Sequence, residues 1–386
     1  MIERFWIQNN LLNKIRFNNK LNKEILNMEK DSLVLKEKDS SYGKQRFLSY
    51  ISIAKIFSSY GVIALHLNTN FWDFSHVKRK NWLISNFYQS LFYYPVPIFV
   101  LCIGATLLDF RERYGLFDYN KKRFVKVFIP LLGWTITLYY YKAYILKNIS
   151  KIELDFTYIW NYFFLSKLFH IYNSLHIFIL TYMLIPIVSF VEKKDKIKIY
   201  TYYFFLLLIT QAIIPYLIDL LGNKIVWIYR LNIGYLIYIF AGYIIHNHKF
   251  TRLISIIIYI FGISSFLLDL IGTQILAFKY KKIKTLHKGY LNLPCIIYSS
   301  ALFLFIKENS YFILRFINRK TINKIGSLTL GPFFIHLALK QTIEKFITIN
   351  NLIFFNLLFS SFLIFSMCII FSMILRGIPL LNNLVP

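Results

Sequence analysis

Residues 54–66 read AKIFSSYGVIALH and lie within an apolar segment, 47–67, that is long enough to cross a bilayer. This segment carries a lysine and a histidine, Lys55 and His66, separated by ten residues. Eleven helical steps make three turns plus about 20° and a rise of roughly 16 Å. The two side chains are therefore predicted to share one face of one helix, about half a bilayer apart. Because an ionisable side chain is costly inside a membrane, this pair is a candidate functional feature.

The rest of the chain repeats this apolar pattern. Hydrophobic residues make up 57% of the 386 residues and charged residues only 16%, below the quarter typical of soluble proteins. Apolar blocks alternate with short basic stretches, which predicts an all-α membrane protein, a polytopic bundle of about ten transmembrane helices. The predicted spans are 47–67, 88–109, 123–146, 171–190, 199–219, 226–245, 253–271, 290–307, 326–345 and 352–375. Segment 157–170 is expected to form a re-entrant or interfacial helix instead of a span.

Basic residues between the spans set the expected orientation. Segments rich in Lys and Arg alternate along the chain with segments that contain few of them. Because cytoplasmic loops carry the excess of Lys and Arg, both termini are expected in the cytoplasm and the protein in the cell membrane. The loop 278–289 is the exception, because it would face outward with five lysines. Either it binds something anionic outside or the span count nearby is wrong. Most cations behind the net charge of +27 lie in short loops between spans, where they can contact lipid headgroups. No nucleic-acid partner is therefore expected.

The chain is expected to have two parts. Residues 1–45 are polar and charged and are predicted to form a cytoplasmic extension and not a signal peptide, followed by a membrane domain over 46–386. Cys102, Cys295 and Cys368 all fall in apolar spans without metal-ligand spacing or a disulfide framework. They are interpreted as small buried hydrophobic residues, and no metal site is predicted.

His66 is the candidate catalytic residue. Histidine is the natural general base near neutral pH and could take a proton from a sugar hydroxyl that attacks an acyl carbonyl. The alternative is a histidine hydrogen-bonded within the bundle, and His336, in the middle of a later span, is open to that structural interpretation. Lys55 either snorkels to the interface or binds phosphate.

Two further pairs are candidates. Arg123 and Lys126 lie three residues apart on one helical face, and either anchor a span or bind an anionic donor at the cytoplasmic mouth. His170 and Arg230 fall at predicted outer helix ends and are expected to line an acceptor pocket, although Arg230 could also snorkel. Gly104, within the second predicted span, is expected to permit close helix approach.

The carboxylate of Asp109 ends the second predicted span. It is expected to pair with Arg111 or Arg113, which follow it directly.

An ordered set of short motifs resembles the acyltransferase 3 family of integral-membrane acyltransferases. Its first helix carries Arg or Lys, ten residues, then His, which Lys55 and His66 match in the Lys form. The segments VPIFVLCIG, KRFVKVFIP, HIYNSLHIFILTYMLIP and GPFFIH are similar, in this order, to its later motifs. Ile103 stands where the family has Ser, and Tyr172 where it has Trp. The resemblance covers about residues 46–386.

The resemblance implies ten spans and an acyl-CoA donor, usually acetyl-CoA, that enters from the cytoplasm as a co-substrate. It implies an acceptor hydroxyl on a cell-surface glycan, a catalytic role for His66, and donor contacts for Arg123 and Lys126. The hypothesis is therefore a membrane O-acyltransferase that also contacts lipid. The alternatives are a flippase or transporter of lipid-linked sugars and a non-catalytic subunit of polysaccharide export. The lysines of loop 278–289 add the expectation of an anionic acceptor; nothing in the sequence indicates the oligomeric state.

Overall fold

The computed structural model describes residues 49–72, 80–141, 144, 173–222, 233–346, 354–379 and 381–385. These residues form helices and no strand, which confirms the all-α prediction for the described part of the chain. The chain divides into two compact units, Met1–Tyr50 and Ile51–Pro386, and the second contains the helices that build the site. Residues 1–45 lie outside the described residues, and the division of the chain near residue 45 stays a prediction.

The described residues contain fifteen α-helices. They are α1 Ser49–Asn68, α2 Lys80–Leu91, α3 Pro95–Leu107, α4 Leu116–Arg123, α5 Ile129–Tyr140, α6 Asn173–Val188, α7 Lys196–Leu207, α8 Ile214–Leu220, α9 Leu236–Asn247, α10 Arg252–Leu267, α11 Thr273–Tyr280, α12 Leu293–Phe316, α13 Arg319–Leu328, α14 Leu330–Phe346 and α15 Phe354–Gly377. Three π-helical segments, Phe124–Phe128, Leu208–Ile213 and Leu268–Gly272, join α4 to α5, α7 to α8 and α10 to α11.

The described helices support a membrane protein with fewer certain spans than the sequence predicts. Each of the ten predicted segments overlaps a described helix. Five helical stretches are long and apolar enough to cross a bilayer, and the bent pair α13 and α14 would make a sixth. The count of about ten is not confirmed, and segment 157–170 lies outside the described residues.

Burial separates central from peripheral helices. In the most apolar part of α1, 67% of the residues are buried, and in the stretch Lys80–Glu112 the share is 78%. The corresponding shares are 11% for Lys196–Leu220 and 22% for Arg252–Tyr280. Because these outer stretches expose large apolar side chains, they are suited to face lipid, while α1 and α3 form the centre of the fold.

Two glycines bring α3 and α9 into backbone contact. A Cβ atom at Gly104 would lie 2.0 Å from the carbonyl oxygen of Ile239, and one at Gly242 would lie 2.1 Å from that of Leu101. The prediction that Gly104 permits close helix approach is therefore confirmed. The contact is reciprocal, since each helix offers a glycine to the backbone of the other.

A broken helix packs against α1. Helices α13 and α14 meet at Thr329 with a bend of 61°. A Cβ atom at Gly326 would lie 2.6 Å from the Cβ of Ser52, and the Ser59 hydroxyl donates to the Thr329 carbonyl at 3.2 Å. Backbone groups freed by a break inside a membrane need such partners, so α1 stabilises the bend.

The carboxylate of Asp109 binds Lys196, with 2.6 Å between its Oδ1 and the lysine Nζ, so the expected pairing with Arg111 or Arg113 is wrong. The tight turn Phe110–Glu112 carries Arg111 towards the chain after α6, where its Nε donates to the Ser189 hydroxyl at 2.9 Å. The ion pair between Asp109 and Lys196 therefore joins the end of α3 to the start of α7.

Candidate functional site

A cavity of about 280 Å³ opens where α1, α3, α6, the broken helix and α15 meet. Among the described residues, no acidic side chain lines it and four cationic ones do: Lys55, Arg123, Lys126 and Arg376. The remaining lining comes from small or apolar residues of α3, α6 and the bend, including Cys102, Thr106 and Thr329. The three residues predicted to bind a donor are thus brought together, and Arg376 joins them.

Aromatic side chains hold Arg123 in place. The Tyr119 hydroxyl donates to the Tyr182 carbonyl at 2.9 Å, which ties α4 to α6. The Arg123 guanidinium carbon lies 5.8 Å from the Tyr119 ring centre and 5.5 Å from that of Tyr182. Its Nε is buried and has no hydrogen-bond partner among the described residues, so it remains a donor for a ligand.

Pro130 explains the local backbone around Lys126. A proline has no N–H, and its ring crowds the carbonyl four residues earlier, which here is that of Lys126. The helix widens at this point into the π-helical segment Phe124–Phe128. Such widened turns recur at functional sites, and this one contains the lysine that lines the cavity.

Sequence reasoning missed Arg376. It stands in the last turn of α15, one residue beyond the predicted span 352–375, and its Nη1 donates to the Ser327 hydroxyl at 2.7 Å. This bond turns the guanidinium back towards the bend between α13 and α14. One feature of the sequence could have indicated Arg376: it stands at the predicted cytoplasmic end of its span, as Lys55 and Arg123 do.

The cavity cations have no carboxylate partner in the described part of the chain. Ion pairs found elsewhere in it include Lys193 with Glu112, Lys194 with Glu192, Lys196 with Asp109 and Lys288 with Asp269. Clustered positive charges without counterions favour binding of an anion, and guanidinium groups suit phosphate in particular.

His66 lies on α1 beyond this cavity and faces the same broken helix. Its ring centre is 5.4 Å from that of His336 on α14. The Lys340 Nζ donates to the His66 carbonyl at 2.7 Å. As the spacing in the sequence predicts, Lys55 and His66 both face α13 and α14, one at each end of the contact.

The ring of His66 is half-buried and makes no hydrogen bond to any described residue, whereas His336 is fully buried. The Nδ1 atom of His336 lies 2.8 Å from the Pro332 carbonyl oxygen, and the Nε2 atom of His336 has no hydrogen-bond partner among the described residues. The interpretation of His336 as only structural therefore accounts for one ring nitrogen and leaves the other unexplained.

Contacts among three phenylalanine rings run from the cavity to His336. Phe99 and Phe178 line the cavity, and their ring centres lie 5.9 Å apart. Phe333 lies 6.3 Å from the first and 6.0 Å from the second, and its ring centre is 6.4 Å from that of His336. His66 does not line the cavity, and this phenylalanine cluster reaches from the cavity to the neighbour of His66, His336.

The model of the acyltransferase 3 family, which describes an acyltransferase domain, matches residues 48–376. This chain belongs to the acyltransferase 3 family. The match confirms the resemblance and supports a multi-pass membrane acyltransferase. No curated protein matches the chain, and no solved structure does.

Two predicted positions of this acyltransferase cannot be placed. His170 and Arg230 lie outside the described residues, so the acceptor pocket they were predicted to line stays a prediction. Within the described residues, no group of three or more His, Cys, Asp or Glu side chains could hold a metal ion.

The five lysines of the loop 278–289 differ in their exposure to solvent. Lys279, Lys281 and Lys282 are exposed and Lys284 is half-buried. Lys288 is buried instead, because its Nζ donates to Asp269 Oδ2 at 2.9 Å and to the Ser90 hydroxyl at 2.7 Å. Burial lowers the pKa of Lys288, and the Asp269 carboxylate acts to raise it. Lys288 is therefore not free to contact an acceptor, while the side of the membrane that the loop faces stays a prediction.

Proposed function

We propose that this acyltransferase moves an acyl group, most simply acetyl, from cytoplasmic acyl-CoA to a hydroxyl of a cell-surface or lipid-linked glycan. The observation that carries the proposal is the cavity with four cations and no acid, on the same helix contact as His66. Acyl-CoA carries phosphates at one end and the reactive thioester at the other. A site for it needs an anion-binding cavity and, at a distance, a group that handles a proton.

The phosphates bind at the cavity, with Arg123 and Arg376 as the planar donors and Lys55 and Lys126 as point charges. The rise of roughly 16 Å from Lys55 to His66 is the span that the extended arm of the donor must cover. That arm passes the phenylalanine cluster, Phe99, Phe178 and Phe333, whose apolar rings suit the uncharged part of the donor. Rotation of these side chains opens the way.

His66 acts as the general base. It takes the proton of the acceptor hydroxyl while the hydroxyl oxygen attacks the thioester carbonyl. The new C–O bond forms, the C–S bond breaks, and the proton passes from His66 to the departing thiolate. A histidine with no other hydrogen bond to the described residues is available for this task.

The test uses purified full-length protein in lipid vesicles with radiolabelled acetyl-CoA. Wild-type protein is expected to release free CoA and to label glycan or lipid-linked glycan from the native membrane. His66→Ala is expected to lower kcat by about 10²–10⁴-fold, the usual contribution of a positioned base, while its thermal unfolding stays unchanged. A matched control is His248→Ala, at the end of α9, far along the chain from both histidines.

Normal acetylation by His66→Ala would contradict the proposed base. No acyl transfer by wild type, together with movement of lipid-linked sugar across the vesicle membrane, would favour a flippase. Mass spectrometry of surface glycans from cells with and without the gene distinguishes an acyltransferase from a non-catalytic subunit of polysaccharide export. In that case polymer export is lost while the acetyl content of the polymer made is unchanged.

A further inference from the structure

His336 presents an unused hydrogen-bond acceptor beside His66. A carbonyl oxygen can only accept, so the 2.8 Å contact with the Pro332 oxygen places a proton on His336 Nδ1. In the neutral ring Nε2 then carries a lone pair. This nitrogen is buried and has no partner among the described residues. Leaving a buried acceptor unpaired is destabilising, so this nitrogen is a favourable partner for a donor group close to it.

The packing of α1 on α14 brings His66 to this acceptor. Ser59 and Thr329 form one contact and His66 and His336 another, and both pairs are 270 residues apart along the chain. The two helices therefore run parallel in a fixed register. Lys340, one turn beyond His336, holds the backbone of His66 by its hydrogen bond to the carbonyl.

We propose that His336 is a positioning residue for His66 in the acyl transfer proposed above, on which this inference rests. Its Nε2 accepts a hydrogen bond from a ring N–H of His66. The other ring nitrogen of His66 then carries the lone pair and points to the acceptor hydroxyl. At 5.4 Å between ring centres, a small rotation of the His66 ring closes this bond.

The proton count is consistent with this role. His66 starts neutral, with its N–H bonded to His336 Nε2, and gains the hydroxyl proton on its free nitrogen. His336 accepts the hydrogen bond throughout and neither gains nor loses a proton. When the thiolate leaves, it takes the proton from His66, and both rings return to their starting tautomers.

Two isosteric substitutions separate this role from a purely structural one. Asn places a side-chain amide at the position of Nδ1, so His336→Asn keeps a donor to the Pro332 carbonyl but loses the distal acceptor. Gln places its amide at the position of Nε2, so His336→Gln keeps the distal acceptor but loses the donor to Pro332. If His336 only supported its own helix, the Asn variant would be the more active one.

The experiment measures acetyl-CoA thioester cleavage by the full chain in lipid vesicles, with donor KM and kcat determined separately. His336→Asn is expected to lower kcat by about tenfold or more, a part of the 10²–10⁴-fold that proton transfer contributes, with little change in donor KM. His336→Gln is expected to keep kcat within about threefold of wild type. Apparent unfolding temperatures confirm that both variants are folded.

Full kcat in His336→Asn, or equal losses in both variants, would overturn the positioning role. A folded His336→Gln protein with the activity of His66→Ala would also overturn it, even if His336→Asn failed to fold. These results leave the proposed function intact as long as wild type cleaves the thioester and His66→Ala does not. Loss of that contrast would instead contradict the proposed function itself.

Discussion

At the scale of single residues, the four cavity cations are expected to set donor affinity. Replacing Arg376 by Gln removes a charged donor aimed at the bend beside Ser327. A hydrogen bond to a charged group is worth about 1.5–3 kcal/mol, so KM for acetyl-CoA is expected to rise about tenfold or more. Lys55→Gln and Arg123→Gln are expected to act in the same direction.

Steady-state kinetics at varied acetyl-CoA concentration measure this effect. The matched control is Arg315→Gln, because Arg315 is exposed on the last turn of α12 and does not line the cavity. Equal KM values for Arg376→Gln and the control would show that the cavity does not hold the donor phosphates.

The sequence predicts which charged residues share the site better than it predicts their partners. Lys55, Arg123 and Lys126 could be grouped because each stands near the same end of its predicted span. His336 could not be paired with His66, since the pairing depends on the register of two helices 270 residues apart. Arg376 was missed because its direction is set by Ser327, which is remote in sequence.

At the scale of helices, the glycine contact between α3 and α9 is expected to be a main source of stability. Gly242→Ala places a Cβ atom 2.1 Å from a backbone oxygen, and the main chain cannot move aside as a flexible side chain would. Overpacking of this kind costs about 1–3 kcal/mol. The apparent unfolding temperature in detergent is therefore expected to fall.

Gly115→Ala is the control, since a Cβ atom there would meet nothing within 4 Å. Equal unfolding temperatures for Gly242→Ala and Gly115→Ala would mean that α3 and α9 are not in close contact in the membrane.

The break between α13 and α14 shows why helix positions are easier to predict than helix shape. The sequence predicts the segment 326–345 as one span, because its apolar character continues through Thr329. The bend of 61° depends on Ser59 and Ser52 of α1, which support the backbone and fill the space beside Gly326. The hydropathy of one segment cannot predict such support, because the supporting residues belong to another helix.

At the scale of the whole molecule, the exposed lysines near residue 280 are expected to attract an anionic acceptor. Replacing Lys279, Lys281, Lys282 and Lys284 by Gln should weaken acceptor use mainly at low salt, because screening at about 0.1 M already reduces interactions beyond roughly 10 Å. Lys288 is left in place, since it is buried against Asp269 and its loss would destabilise the fold.

Acetyl transfer to the native glycan in membrane vesicles, measured over a series of salt concentrations, tests this. A variant with Lys320→Gln and Lys324→Gln on α13 controls for a general loss of charge. An unchanged salt dependence in the four-lysine variant would remove the anionic acceptor from the proposal.

The phenylalanine cluster has a consequence for the cell that houses the protein. A hydrated, charged chamber on one side and a titratable pair deeper in the same fold would together form a proton leak if water filled the gap between them. Phe99, Phe178 and Phe333 place apolar rings across that gap. Narrow apolar constrictions exclude water, so these rings are expected to limit such a leak in the resting protein.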